Sequence, residues 1–133
     1  MFVLGLGVVV AAVGAQGLTE ALRAVVPGTA SLPGLLAVAG IAAVLANVVN
    51  NLPATLLLLV ALGPVPAPAI VLAVLLGVNI GPNLTYVGSL ATLLWRQVLG
   101  SEHRPRLGEF TALGLLTVPL ALVAATTALW LVS

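Results

Sequence analysis

The sequence predicts an all-α, multi-pass membrane protein that combines transmembrane helices with a re-entrant helical hairpin and a discontinuous helix. Composition is the first reason: 62% of the 133 residues are hydrophobic and only 5% are charged, against about 25% charged residues in a typical soluble domain. The second is length, since a span takes about 20 apolar residues and the chain divides into runs sufficient for three or four segments in a single membrane domain over residues 1–133. The third is that two apolar runs carry asparagine and proline clusters in their interiors, which a lipid-facing helix does not explain.

The same composition excludes several functions. Four basic and three acidic residues give a net charge of +1, too little for a nucleic-acid surface. Zero cysteines remove disulfides, thiolate metal sites and cysteine nucleophiles. No catalytic set of nucleophile, base and orienting group can be assembled, His103 has no second ligand at metal spacing, and no cofactor is indicated. The expectation is a protein that is not an enzyme, has membrane lipid as its surroundings and does not bind nucleic acid.

In chain order, residues 2–18 read as a transmembrane helix that ends where Gln16, Thr19, Glu20 and Arg23 turn polar. Val13, Gly14 and Ala15 resemble a leader cleavage site, but no basic residue precedes Arg23. A helix whose beginning has been cut off is the better expectation. Residues 23–34, with two prolines and two glycines, predict a loop or a short interfacial helix.

Residues 35–62 organise the rest. Asn47, Asn50 and Asn51 stand at i, i+3 and i+4, on one face while the chain stays helical. Pro53 is expected to interrupt that helix, free the carbonyl of Val49 and push Leu52 towards an extended conformation. An unpaired amide in hydrocarbon costs roughly 2 to 7 kcal/mol, so three of them need each other, water or a solute. About 30 apolar residues around a central break fit two half-length arms better than two full spans. A single tilted, kinked span is the rival reading.

After the proline-rich turn at residues 63–68, residues 69–95 form a run broken near its middle by Gly77, Gly81 and Pro82, with Asn79 and Asn83 alongside. Pro82 is expected to free the carbonyl of Val78. Thr85, Ser89 and Thr92, with Gly88, then predict a narrow stripe of polar and small residues facing protein. Tyr86 is expected to pack. Residues 96–106 hold three of the four arginines and are placed on the cytoplasmic side of the plasma (inner) membrane. Residues 107–132 make the last span, with Pro119 inside it and Trp130 at its far end.

One asparagine in such a run would be interhelical glue. Three within five residues beside a proline, repeated as a second break about 30 residues later, predict a solute site, because paired discontinuous segments mark a transporter's binding site. No carboxylate lies between Arg23 and Glu102, so the ligands are amides, hydroxyls, free carbonyls and helix ends. These suit a neutral hydroxylated solute, an oxyanion or a sodium ion.

The residues NVVNNLPAT at 47–55 and GVNIGPNLTYVGSLATLLW at 77–95 resemble the C-terminal part of bacterial arsenite efflux permeases, within the ion transporter superfamily. The resemblance covers residues 35 to the C-terminus. It implies the second half of an inverted repeat, with Asn50, Asn51 and Pro53 at the hairpin tip and Asn79, Gly81, Pro82, Asn83, Thr85, Gly88 and Ser89 at the broken helix; with Asn47 and Thr55 of the same motif, these are the expected binding residues for arsenite or antimonite. A missing N-terminal transporter half, a second chain or a homodimer would complete the site. A sodium/proton antiporter or other anion transporter of the same superfamily, and a non-transporting module that docks onto a partner, are the alternatives.

Overall fold

The computed structural model describes Gly5, Val8, Ala12 and residues 17–99 and 106–133. The first expected span, and His103, Arg104 and Glu102 of the arginine-rich loop, lie largely or wholly outside these residues. The described residues are helical with no strand: α1 (Thr19–Val25), α2 (Leu32–Val49), α3 (Asn51–Leu62), α4 (Pro68–Ile80), two 3-10 turns (Gly81–Leu84 and Tyr86–Gly88), α5 (Leu90–Val98) and α6 (Leu107–Val132).

The helix starts follow local chemistry. The Ser31 hydroxyl accepts from the Gly34 amide at 3.3 Å and Pro33 stands in the first turn of α2, so one otherwise unpaired N–H is satisfied and another is dispensed with. Pro68 opens α4 in the same way. Gly63, at φ +81°, ends α3.

α2 lies at the centre. Its face of Leu35, Val38, Ala39, Ala42, Ala43 and Ala46 is buried, and it packs against α3, α4 and α6. Against α4 the fit is close enough to set residue identity. A Cβ on Gly77 would collide with the Ala39 carbonyl, and one on Gly81 with the Ala43 backbone. Gly77 pairs with Ala39 and Gly81 with Ala43, so the two helices run parallel; α4 ends at Ile80, beside the Ala43 turn of α2, and the 3-10 turn over Gly81–Leu84 continues alongside the last residues of α2 up to Val49. In an apolar medium burial gives little net drive between helices. Contact between small residues four apart supplies the attraction instead. Gly77 is therefore a contact residue inside a continuous helix, not part of its break as the sequence suggested, whereas Gly81 is both a contact residue and the first residue of the 3-10 turn that ends α4.

α3 begins one residue after α2 ends and packs on it. The guanidinium of Arg23, on α1, donates to the carbonyls of Ala61 (3.3 Å) and Val60 (3.4 Å), which brings the far end of α3 back to the segment preceding α2. A cation at helix C-terminal carbonyls is favourable electrostatically. α6 turns Gly114, Val118, Leu122 and Thr126 inward, four residues apart on one face. Gly114 meets Asn83 and Leu84, while Ala125, Leu129 and Val132 line a cavity with Leu72, Leu75 and Asn79, so α6 runs antiparallel to α4.

α2 and α6 are long and apolar enough to cross a membrane. Much of α6 faces outward, with Leu113, Leu115, Leu116, Leu120 and Leu131 each more than 60% exposed. Such a surface requires lipid or further protein.

Gly77→Val should lower the unfolding free energy in detergent by about 1 to 3 kcal/mol, the usual cost of forcing extra volume into a packed contact. Gly40→Ala, where an added Cβ meets nothing within 4 Å, should be neutral or slightly stabilising. Equal behaviour of the two variants in a denaturant titration would contradict the close α2–α4 contact.

Candidate functional site

Four helix ends lie close together around the two breaks. α2 ends at Val49, and Asn50 turns the chain with φ 76° and ψ 156°, the one positive φ at a non-glycine among the described residues. That region of backbone space belongs almost entirely to glycine and costs an asparagine roughly 1 to 3 kcal/mol. α3 starts at Asn51, so Pro53 falls in its first turn, where no N–H is required. The break thus lies three residues before the proline, and Leu52 is helical where an extended conformation was expected. Because the chain turns at Asn50, Asn47, Asn50 and Asn51 do not share one helix face.

The second break is also displaced. α4 tightens into a 3-10 turn over Gly81–Leu84, and Thr85 is the first extended residue (φ −135°, ψ 158°). A second turn over Tyr86–Gly88 follows, then extended Ser89. The Ser89 hydroxyl accepts from the Ala91 amide at 3.2 Å and caps α5. With Thr85 and Ser89 both extended, the expected helical stripe through Thr85, Ser89 and Thr92 does not exist.

Asn47 joins the two breaks. Its Nδ2 donates to the carbonyls of Ala43 and Gly81, both at 2.8 Å, and its Oδ1 accepts from the Thr85 hydroxyl at 2.7 Å. Both amide hydrogens are therefore used, as is one acceptor position. Gly88 closes over the group, since a Cβ there would lie 2.8 Å from Asn47 Oδ1 and 2.6 Å from the Pro82 Cα. Pro82 itself is buried. At the rim, Asn50 Nδ2 donates to the Val87 carbonyl at 3.3 Å.

The remaining candidates divide. Thr55 donates to the carbonyl of Asn51 at 2.7 Å, within α3. Asn51 is half-buried, and its side-chain amide has no partner among the described residues. Asn79 and Asn83 point outward, bonded to Leu75 at 2.7 Å and Ile80 at 3.0 Å in their own segment. The structure brings together Asn47, Asn50, Gly81, Pro82, Thr85 and Gly88. Asn51, Pro53 and Thr55 form the adjacent start of α3, and Ser89 the start of α5. Asn79 and Asn83 lie elsewhere.

An aromatic stack supports the second break. Tyr86 is buried and lies on Phe110 of α6, with ring centres 4.2 Å apart. The Arg96 guanidinium covers the Tyr86 ring at 4.6 Å. Sequence reasoning placed Arg96 in a loop; it belongs to α5 and faces inward. Tyr86 packs, as its residue type suggests, whereas Phe110 carries no signal beyond being the aromatic residue that opens the last helix.

Relative to α6, the cluster lies level with Gly114, about 10 Å from that helix's start and about 27 Å from its end at 1.5 Å per residue. No group of three or more acidic or histidine side chains able to hold a metal occurs among the described residues. The site offers C-terminal carbonyls of α2 and α4, N-terminal amides of α3 and α5, and neutral side chains. It can bind a neutral polar solute, or an ion through oxygen dipoles, without a buried countercharge.

Apolar helices that keep their polar groups at internal helix breaks define an integral membrane protein of the all-helical class. The family model described as arsenical pump membrane protein matches residues 1–131, and the chain belongs to that family. Similar curated relatives are the arsenical pump membrane proteins of Yersinia enterocolitica, 34% identical over 93% of this chain, and of Escherichia coli K12 and Shigella flexneri, each 33% identical over the same share. The chain spans about a third (32%) of the length of these relatives. No solved structure gives a significant match.

Asn47→Leu leaves the Gly81 carbonyl and the Thr85 hydroxyl unpaired and should cost about 1 to 3 kcal/mol in detergent unfolding. Thr85→Val removes one bond and should cost about 0.6 kcal/mol, the mean for hydrogen bonds between membrane helices. The reverse order would remove Asn47 from the centre of the cluster.

Proposed function

We propose that this chain is the substrate-binding C-terminal portion of an efflux permease for arsenite or antimonite. In this reading α2 and α3 enter the membrane as a re-entrant hairpin, and α4 and α5 form the discontinuous helix of the second half of an inverted repeat. The arginine-rich segment 96–106 lies on the cytoplasmic side of the inner membrane. The observation that carries the reading is the meeting of two helix breaks around Asn47, with the ends of four helices nearby and no carboxylate bonded there among the described residues. Membership of a family of arsenical pump membrane proteins supports the substrate class.

The chemistry agrees. Arsenous acid is neutral at pH 7 and presents hydroxyl groups, so amides and carbonyls can hold it without burying a charge. Thiolates would grip trivalent arsenic too firmly for release, and this chain has none. The hydrogen-bond inventory assigns roles. Asn47, with both donors committed, holds the helix ends in place. Asn51, whose amide has no partner among the described residues, contacts the solute. Further transporter sequence or a second copy supplies the scaffold and completes the site. Transport then proceeds by alternating access, with the hairpin and the broken helix moving against that scaffold.

Arsenite uptake into everted membrane vesicles tests this. Asn51→Ala should reduce uptake at least about tenfold, equivalent to roughly 1.4 kcal/mol, with normal membrane insertion. Asn79→Ala, which alters only a bond within α4, should retain more than half the activity. Normal uptake by Asn51→Ala would sink the site assignment.

A further inference from the structure

We propose that Arg96 and Gln97, together with Leu90, Leu93 and Leu94, form a binding site for the phosphate headgroup of an anionic phospholipid. These residues line a cavity of ≈ 430 Å³ on α5, away from the Asn47 cluster. The cavity has a cation and a primary amide beside three leucines that are 37–52% exposed. Polar groups next to open apolar wall match a molecule with a charged head and a hydrocarbon chain.

Arg96 faces no carboxylate within ion-pair distance among the described residues, and its Nε is buried with no hydrogen-bond partner. Its plane is fixed by the Tyr86 ring at 4.6 Å, and that ring is fixed in turn by Phe110. A planar guanidinium held on one face by an aromatic ring and buried at Nε presents its two terminal Nη groups to a ligand, and phosphate oxygens match that pair in a bidentate manner. Arg96 also opens the stretch that holds Arg104 and Arg106, and basic segments flanking a membrane helix attract anionic headgroups. Soluble phosphate would gain nothing from the leucine wall, whereas an acyl chain would cover it. The inference requires only that the chain lies in a membrane, and it is independent of the transported solute.

Bound lipid on the protein expressed from its complete reading frame provides the test. In nanodiscs of phosphatidylcholine mixed with phosphatidylglycerol, native mass spectrometry should show phosphatidylglycerol retained about fivefold over its share, the effect of one basic residue near a charged surface. Arg96→Gln should abolish the preference, and Arg96→Lys should keep part of it. Should Arg96→Gln fail to reach the membrane, Gln97→Glu places a repelling charge in the same cavity and should also remove the preference. Equal retention of the two lipids, or a preference unchanged in the variants, would overturn the proposal. Displacement of the lipid by excess inorganic phosphate would overturn the lipid assignment in favour of a soluble anion.

Discussion

A primary amide inside an apolar helix pair has two hydrogens to place, and Asn47 places both on carbonyls, one in its own helix and one across the interface. The rest of the described structure depends on that arrangement. Two helices that end within the apolar layer leave carbonyls without intrahelical partners, and away from water each unpaired group costs several kcal/mol. Asn47 satisfies Gly81 directly and orders Thr85 through its oxygen. It can do so only because α2 and α4 approach closely, which the alanines of α2 and the glycines at 77 and 81 allow. The small-residue contact and the polar link are thus one device: packing brings the amide within reach, and the amide holds the break that packing alone would leave unsatisfied.

This device explains why the site carries no charge. A carboxylate at that level would need its own countercharge, and a buried pair seldom recovers its desolvation cost. Helix ends provide partial charges that are already fixed in place, positive where α3 and α5 begin and negative where α2 and α4 end. The formal charges sit at the margins instead. Arg23 covers the end of α3, and Arg96 is held against Tyr86 at the end of the broken helix. α6 closes one side through a single narrow face, and its other leucines are exposed.

Helical class and membrane character were legible from composition and run length, and the family from the two asparagine and proline motifs. Both breaks fall within those motifs, but the residues that make them were not legible. Pro53 reads as a helix breaker because it lacks an N–H, but a proline in the first turn of a new helix has no bond to lose, and the actual turn falls on Asn50, whose positive φ is invisible in the sequence. Gly77 and Gly81 read as breakers for the same kind of reason. Glycine serves both flexibility and close approach, and only the position of α2 decides between them. The Thr85, Ser89 and Thr92 stripe failed because helical spacing is meaningful only while the helix continues. Arg96 was misplaced because charge suggests a loop, whereas an aromatic ring three-dimensionally adjacent but ten residues earlier gives it an inward-facing seat.

The hydrogen-bond inventory also separates residues that composition treats alike. Five asparagines lie in the two motifs, and they take four different positions in the accounting. Asn47 is saturated in donors and central. Asn79 and Asn83 donate to their own segments and face outward. Asn50 endures a strained backbone and makes one bond of 3.3 Å at the rim. Asn51 alone keeps a half-buried amide without a partner among the described residues. A group that already meets its needs within the protein gains little from a solute, and one that does not has the most to gain. The proposed roles, Asn51 as ligand and Asn47 as support, follow from this difference, although a count of polar residues in the motif would rank the two equally.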